Sequence, residues 1–174
     1  EIYTLSLHDA LPISSWPTDA KTQLNEAFKD MGYCSDDGVE NENKISSEDI
    51  KAWGGATVAT PLKEKTDNFK VTLIEALNVD ALKAIYGDDN VAGTIETGIK
   101  ISVGIEDNED ASWVVDMIMT GGVLKRMVIP SAKISDMEKI TYKDSEAISY
   151  GLTLAAHPDN SENTHYEYIV KKSV

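Results

Sequence analysis

The stretch Asn68–Gly87, NFKVTLIEALNVDALKAIYG, constrains the fold more than any other part of the chain. Its first half alternates: Phe69, Val71 and Leu73 fall on one face of an extended strand, Lys70, Thr72 and Ile74 on the other. Its second half changes period. Asn78 is a good N-cap, Asp80 puts a carboxylate in the first turn where the helix dipole favours it, and Gly87 suits the left-handed position that closes a helix. Leu77 and Leu82 have the spacing of a hydrophobic staple, which predicts a fixed angle between strand and helix. Nearly everything after Gly87 reads as strand and turn, so this helix is expected to plug or flank a β-structure.

Downstream, Asp88–Gly98 reads as a loop with a short strand. Ile99–Glu106 alternates, with Ile99, Ile101, Val103 and Ile105 expected inward and Lys100, Ser102, Gly104 and Glu106 outward. Asp107–Asp110 is an acidic turn. Trp113–Met119 is apolar on both faces except at Asp116 and so demands cover on both sides, from the helix after Asn78 or from a neighbouring subunit. Gly121-Gly122 is a two-residue hairpin signal, and the return strand Val123–Ile129 is expected to stop at Pro130. Ala132–Tyr142 is a weaker strand pair. Ile148, Tyr150, Leu152 and Leu154 alternate again, His157–Asn163 is a turn, and His165–Lys171 closes the chain as a strand.

Upstream, Pro17-Thr18-Asp19 predicts a helix start, with Ala20, Leu24, Ala27, Phe28 and Met31 on one face and Gly32 at the end. Tyr33–Asn43 is polar, acidic and punctuated by glycine, which predicts a loop. Ile50–Thr60 predicts a strand broken at Gly54-Gly55, with a bulge or a close backbone approach beside Trp53, and Pro61–Thr66 a connection. About seven to nine strands and two helices result, too few helices for a βαβ pattern. The expected fold is mainly β: a β-sandwich or barrel with a short flanking α-helix plus an N-terminal helix.

Glu1–Ile13 has neither the basic start nor the longer apolar core of a signal peptide. EIYTLSLHDALPI resembles, residue for residue, the in-frame translation of a common short-read sequencing adapter, whose leftover base can begin the codon of Ser14. Residues 1–13, His8 and Asp9 included, are therefore expected to be adapter-derived, with 14–174 forming a single domain. Without Glu1 and Asp9 that domain holds 28 acidic and 16 basic residues, a formal charge of −12 against −14 for the whole chain. Such acidity speaks against binding a phosphate backbone, which calls for clustered Lys and Arg. Cys34 is the only cysteine, so neither an internal disulfide nor a Cys-based metal site is available. No apolar run has the length of a membrane-spanning helix, and no membrane partner is expected.

No persuasive catalytic constellation emerges. His157 and His165 bracket a predicted turn with Asp159 and Glu167 near them, the one plausible metal or enzyme site; polar turn and edge-strand roles account for them better. Asp88-Asp89-Asn90 begins like a calcium loop, but the Gly and closing Glu are misplaced. The acidic cluster Glu106–Asp110 reads as a solvated hairpin tip. Cys34 lacks a basic neighbour to lower its pKa. The Gly pairs at 54–55 and 121–122 are not followed by the GK[ST] helix of a phosphate loop, and Trp16, Trp53 and Trp113 lack the basic partners of a nucleic-acid stacking platform. With no catalytic residue, metal or cofactor indicated, the chain reads as a structural or interaction module and not an enzyme, with strand edges that need a partner or a guard.

Four stretches, PTDAKTQLNEAFKDMGYCSDDGV, IKAWGG, TDNFKVTLIEALNVDALKAIYGDDNV and HYEYIVKK, together resemble the tail tube (major tail) proteins of long, non-contractile-tailed bacteriophages and prophages. The resemblance runs from Pro17 to Lys172 and rests on the order and spacing of these stretches. It implies a helix-flanked β-sandwich or barrel that forms hexameric rings. The rings would stack into a tube around a tape-measure protein, with a tail terminator as a further partner, and pass double-stranded DNA at ejection without binding it specifically. The protein would assemble in the bacterial host cytoplasm and reside in the virion tail. The resemblance also implies that the loop Tyr33–Asp49, with Tyr33, Asp36, Asp37, Glu40 and Glu42, contacts the neighbouring ring. The outward sides of Ile99–Glu106 and Trp113–Ile129 would line the lumen, with Glu106 and Asp116 contributing charge. Family members carry a further segment before the PTDA-like stretch, where the adapter-like residues stand here. The alternative reading is a β-sandwich that does not assemble and binds a carbohydrate or a surface through Trp53, Tyr166 and Tyr168.

Overall fold

The computed structural model describes residues 3–9, 16–104, 109–144 and 148–172. A ring of six antiparallel strands makes the body. In order around the ring these are β1 (Tyr3–Asp9), β2 (Lys29–Ser47), β5 (Leu62–Leu73), β10 (Tyr150–Ala156), β9 (Val123–Met137) and β8 (Ala111–Met119), which returns to β1. A last strand, β11 (Tyr166–Lys171), lies against β9. Two short pairs complete the set: β3 (Ile50–Lys51) with β4 (Thr57–Ala59), and β6 (Val91–Ala92) with β7 (Lys100–Ile101). The one α-helix among the described residues is α1 (Val79–Tyr86). The barrel form of the expected mainly β fold is thus the one adopted.

The interior is built by the alternation legible in the sequence. Phe69, Val71 and Leu73 of β5 and Tyr150, Leu152 and Leu154 of β10 point inward, facing Trp113, Val115, Met127 and Ile129. Ala81, Leu82 and Ile85 of α1 join the same apolar cluster, so the helix plugs the barrel as expected. The Asn78 side chain caps it, its Oδ1 accepting from the backbone N–H groups of Asp80 at 3.0 Å and Ala81 at 3.2 Å. Asn78 Nδ2 donates to the carbonyl of Asp30 at 2.8 Å, which ties the helix start to β2. Gly87 closes the helix at φ 92° and ψ 146°, outside the left-handed helical region but in a conformation open only to glycine. The staple does not form: Leu77 is 68% exposed while Leu82 is buried. The Asn78–Asp30 bond and the burial of Leu82 and Ile85 orient the helix instead.

β9 serves three neighbours because it is long. Val123–Val128 lies between β8 and β11, while Ala132–Met137 pairs with β10. Pro130 sits at the changeover, where the register against β8 shifts, so its missing N–H breaks no ladder and the strand runs through the expected stop. The weaker strand pair expected over 132–142 resolves into this continuation of β9, followed by residues 138–144 without a strand.

Four further expectations are corrected. Residues 16–28 form turns and no helix. Asp19 does behave as a cap, its carboxylate accepting from Lys21 N, Thr22 N and Thr22 Oγ1 at 2.6 Å each. The carbonyls of Asp19 and Thr22, however, accept from the Arg126 guanidinium at 3.1 and 2.8 Å. Those carbonyls would otherwise bond the next helical turn, so the tertiary contact overrides local propensity. The segment also supplies part of the second cover that Trp113–Met119 demands. The face of β8 and β9 carrying Val114, Asp116, Arg126 and Val128 lies outside the barrel cluster, and Thr18–Thr22 is held over it at Arg126.

The polar stretch Tyr33–Asn43 is not a loop but part of β2, irregular between Cys34 and Val39 and then paired with β5 out to Ser47↔Leu62. The core takes only Cys34 and Val39 from it; beyond these the ladder satisfies the backbone while both faces stay in water. Gly54 and Gly55 lie in the β3–β4 turn at φ 104° and 90° with open space around them, so they serve positive φ and not a close approach. Among the described residues 99–104 of the expected strand Ile99–Glu106, only Lys100–Ile101 is paired; Ile99 is half-buried, and Ile101 and Val103 are exposed. Ile105 and Glu106 lie outside the described residues.

Candidate assembly surface

Beyond Asn41 and Thr66 the β2–β5 ladder leaves the barrel as a two-stranded arm, extended by the β3–β4 hairpin, with every residue of 42–65 exposed. Residues 42–66 contain four acidic and four basic side chains, so the arm is neutral and the remainder, with 26 acidic and 12 basic, carries the whole charge of −14. Large apolar residues stand in solvent along it: Ile45, Ile50, Trp53, Val58 and Leu62. An isolated two-stranded ribbon is marginal in water, so such an arm gains its stability from what it lies on.

The root of the arm is built around Asp67, which is only 2% exposed. Its Oδ1 accepts from Asn41 Nδ2 and its Oδ2 from Thr164 Oγ1 and His165 Nδ1, each at 2.6 Å. The His165 ring stands edge-on to Phe69 at 5.2 Å between centroids. Burial by itself would raise the Asp67 carboxyl, but the bonds from Thr164, Asn41 and His165 outweigh it and hold the group below the ordinary carboxylate value. One carboxylate thereby joins β2, β5 and the lead into β11. Sequence reasoning missed it because its partners lie 26, 97 and 98 residues away.

The residues singled out from the sequence are scattered over several roles. Tyr33, Asp36, Asp37, Glu40 and Glu42 all lie exposed along β2 between the helix contact and the arm. Tyr33 N–H donates to Glu75 Oε1 at 3.2 Å, and Glu42 pairs with Lys44 at 2.9 Å. Asp116 is not a bare charge: Arg126, 5% exposed, grips it with Nε at 2.6 Å and Nη2 at 2.8 Å. The possible metal quartet is not assembled. His157 Nδ1 bonds Asp110 at 2.8 Å, His165 bonds Asp67, Asp159 accepts from the Tyr166 hydroxyl at 2.6 Å, and Glu167 pairs with Lys125 at 2.7 Å. Among the described residues no three His, Cys, Asp or Glu side chains converge on a metal position. Burial pushes the Cys34 thiol up to about 11, the opposite of an activated nucleophile. Tyr166 and Tyr168 stack at 6.5 Å on β11, whereas Trp53 stands on the arm.

A closed β-barrel plugged by one helix, with a long exposed arm and buried charges that tie elements together, defines a mainly β structural building block. The family profile described as phage tail tube protein matches residues 2–174, and the chain belongs to that family. The fold is similar to a chain in the sheath–tube complex of an extracellular contractile injection system (PVC, extended state), at 8% identity and TM-score 0.52, covering 97% of this chain and 89% of that one. A chain of the tube-terminating cap of the anti-feeding prophage aligns over 97% of this chain and 88% of its own at 8% identity and TM-score 0.49. Among curated proteins no relative matches the chain.

Proposed function

We propose that this protein is the repeating subunit of a long, non-contractile phage tail, assembling into hexameric rings that stack around a tape-measure protein. A tail terminator ends the stack, and double-stranded DNA passes through it at ejection. The observation that carries this reading is the arm. A tail tube family member projects a neutral ribbon with exposed apolar side chains from a barrel that holds the entire net charge, a shape suited to lying on another subunit. Tyr33, Asp36, Asp37, Glu40 and Glu42 lie at its base, where a neighbouring ring would touch. The acidic body suits a conduit through which DNA slides without sticking. With Asp116 offset by Arg126, the charge of such a lining falls to Glu106 and other carboxylates. The subunit assembles in the bacterial cytoplasm, resides in the virion tail and has no enzymatic task.

Negative-stain microscopy of the full-length protein tests this. Stacked rings or tubes are expected, and a monodisperse monomer at high concentration overturns the reading. We also propose that residues 1–13 are adapter-derived and that 14–174 form one domain. β1 joins its neighbours through backbone pairing, which many sequences can supply. Sequencing the locus with a different library chemistry and finding the same codons refutes the adapter origin.

A further inference from the structure

Asp37-Gly38 is the one Asp–Gly pair in the chain, and it stands where β2 departs from its ladder. Cys34 pairs with Leu73 of β5 and Val39 with Val71, so β2 runs from 34 to 39 while β5 runs only from 73 to 71. No residue of 35–38 has a partner on β5. Burial fixes both ends of this bulge: Cys34 is in the core, and Val39 packs against the same cluster. The middle is held by neither.

Gly38 takes φ 77°, a conformation that favours glycine, and beyond its chain neighbours no atom lies within 4 Å of where a Cβ would stand. Asp37 is exposed, and the hydrogen bond it takes from Ser35 Oγ is long, at 3.5 Å. Aspartates elsewhere are held closely. Gly32 N donates to Asp30 at 2.8 Å, and His165 Nδ1 and the Tyr166 hydroxyl donate to Asp67 and Asp159 at 2.6 Å each. At the comparable pair Asn160-Ser161 the following nitrogen is engaged, since Ser161 N donates to Asp159 Oδ1 at 2.8 Å.

We propose that Asp37-Gly38 is a site of spontaneous covalent modification, at which the folded protein converts its aspartyl linkage to an isoaspartyl one. The Gly38 nitrogen bonds to the side-chain carboxyl carbon of Asp37. The proton of that nitrogen and the carboxyl hydroxyl leave as water, and a cyclic succinimide closes. Water then opens the ring. Breaking the bond from Gly38 N to the side-chain carbon restores aspartate. Breaking the bond from Gly38 N to the backbone carbon leaves the chain running through the side chain. The water lost in the first step returns in the second, so mass is unchanged and no oxidant or cofactor takes part. Glycine at 38 leaves the approach to the carboxyl unobstructed, and the bulge frees the backbone to turn its nitrogen toward it. The product carries one more backbone carbon, which a bulge absorbs without moving the pairs at Cys34 and Val39. The chemistry does not depend on the tube reading.

The test incubates the full chain for weeks at neutral pH and reads the tryptic peptide 30–44 by electron-transfer fragmentation, which separates the two linkages at equal mass. An isoaspartyl-specific methyltransferase reports the same product in the intact protein. Isoaspartate is expected at position 37, forming within about tenfold of its rate in the free peptide 30–44, because a locally unpaired segment is little protected. Asp37→Glu keeps the charge but is too long to close the same ring, so it should abolish the label. If the native protein still holds aspartate at 37 once the free peptide has converted, the proposal is overturned. It is equally overturned if Asp37→Glu is labelled as strongly as the wild type.

Discussion

Truncating Asp67 to alanine would leave Asn41, Thr164 and His165 aimed at an empty position at the root of the arm. Thr164 and His165, both half-buried, would each lose an acceptor at about 1–3 kcal/mol, while the exposed Asn41 keeps the Asn68 carbonyl at 3.3 Å. We expect Asp67→Ala to lose about 3–5 kcal/mol, equivalent to a fall in Tm of roughly 10 °C for a domain of this size. Asp67→Asn keeps the shape and one carbonyl acceptor, so about half that loss is expected. The pH dependence has a definite sign. The folded carboxyl sits below its unfolded value, so the unfolded chain binds the extra proton as the solution is acidified. Its stabilisation is therefore fully present above about pH 4–5 and is lost as pH falls through the folded pKa. Urea titrations of wild type and variants at pH 7 and in acid measure this, and the gap between wild type and Asp67→Asn should narrow in acid. Native-state hydrogen exchange should show amides of 42–65 opening more readily in Asp67→Ala than those of β10. A loss below about 1 kcal/mol with unchanged exchange in the arm would refute the root role, because a typical surface substitution does no more.

Other parts of the structure yield predictions of the same kind. Leu82→Asp buries a carboxylate in the apolar cluster and should unfold the subunit, not merely block assembly; a folded, soluble monomer by circular dichroism refutes the plug role of α1. Arg126→Met strands Asp116 and frees the segment over β8 and β9, with an expected loss of about 2–4 kcal/mol and faster tryptic cleavage after Lys21; unchanged cleavage would sink the clamp. Cys34 should resist a thiol reagent at pH 8 in the native protein and react once per chain in urea, since its thiol is buried and pushed to about 11; rapid native labelling contradicts this.

Features that depend on neighbours along the chain are legible before it folds. The alternation of Phe69, Val71 and Leu73, the Asn78 cap, the hairpin at Gly121-Gly122 (with a three-residue loop, Thr120–Gly122, in place of the expected two) and the inward set Tyr150, Leu152 and Leu154 are all short-range. Side-chain periodicity and cap bonds span only a few residues, and the structure keeps each of them. The mainly β class and the tail tube resemblance followed from their order. Elsewhere a distant partner outbids a local one, and only the folded chain brings that partner within reach. Asp19 is a sound helix cap, yet no helix follows, because Arg126 takes the carbonyls the next turn would have used. Residues 40–47 are too polar for a core, yet they form a strand, because their partner is β5 and their surroundings are water. Pro130 stands inside β9, because the strand changes neighbours there. The polar contacts of the arm's root span up to 98 residues. No local pattern encodes which carboxylate will be buried beside which histidine; closing the barrel brings them together.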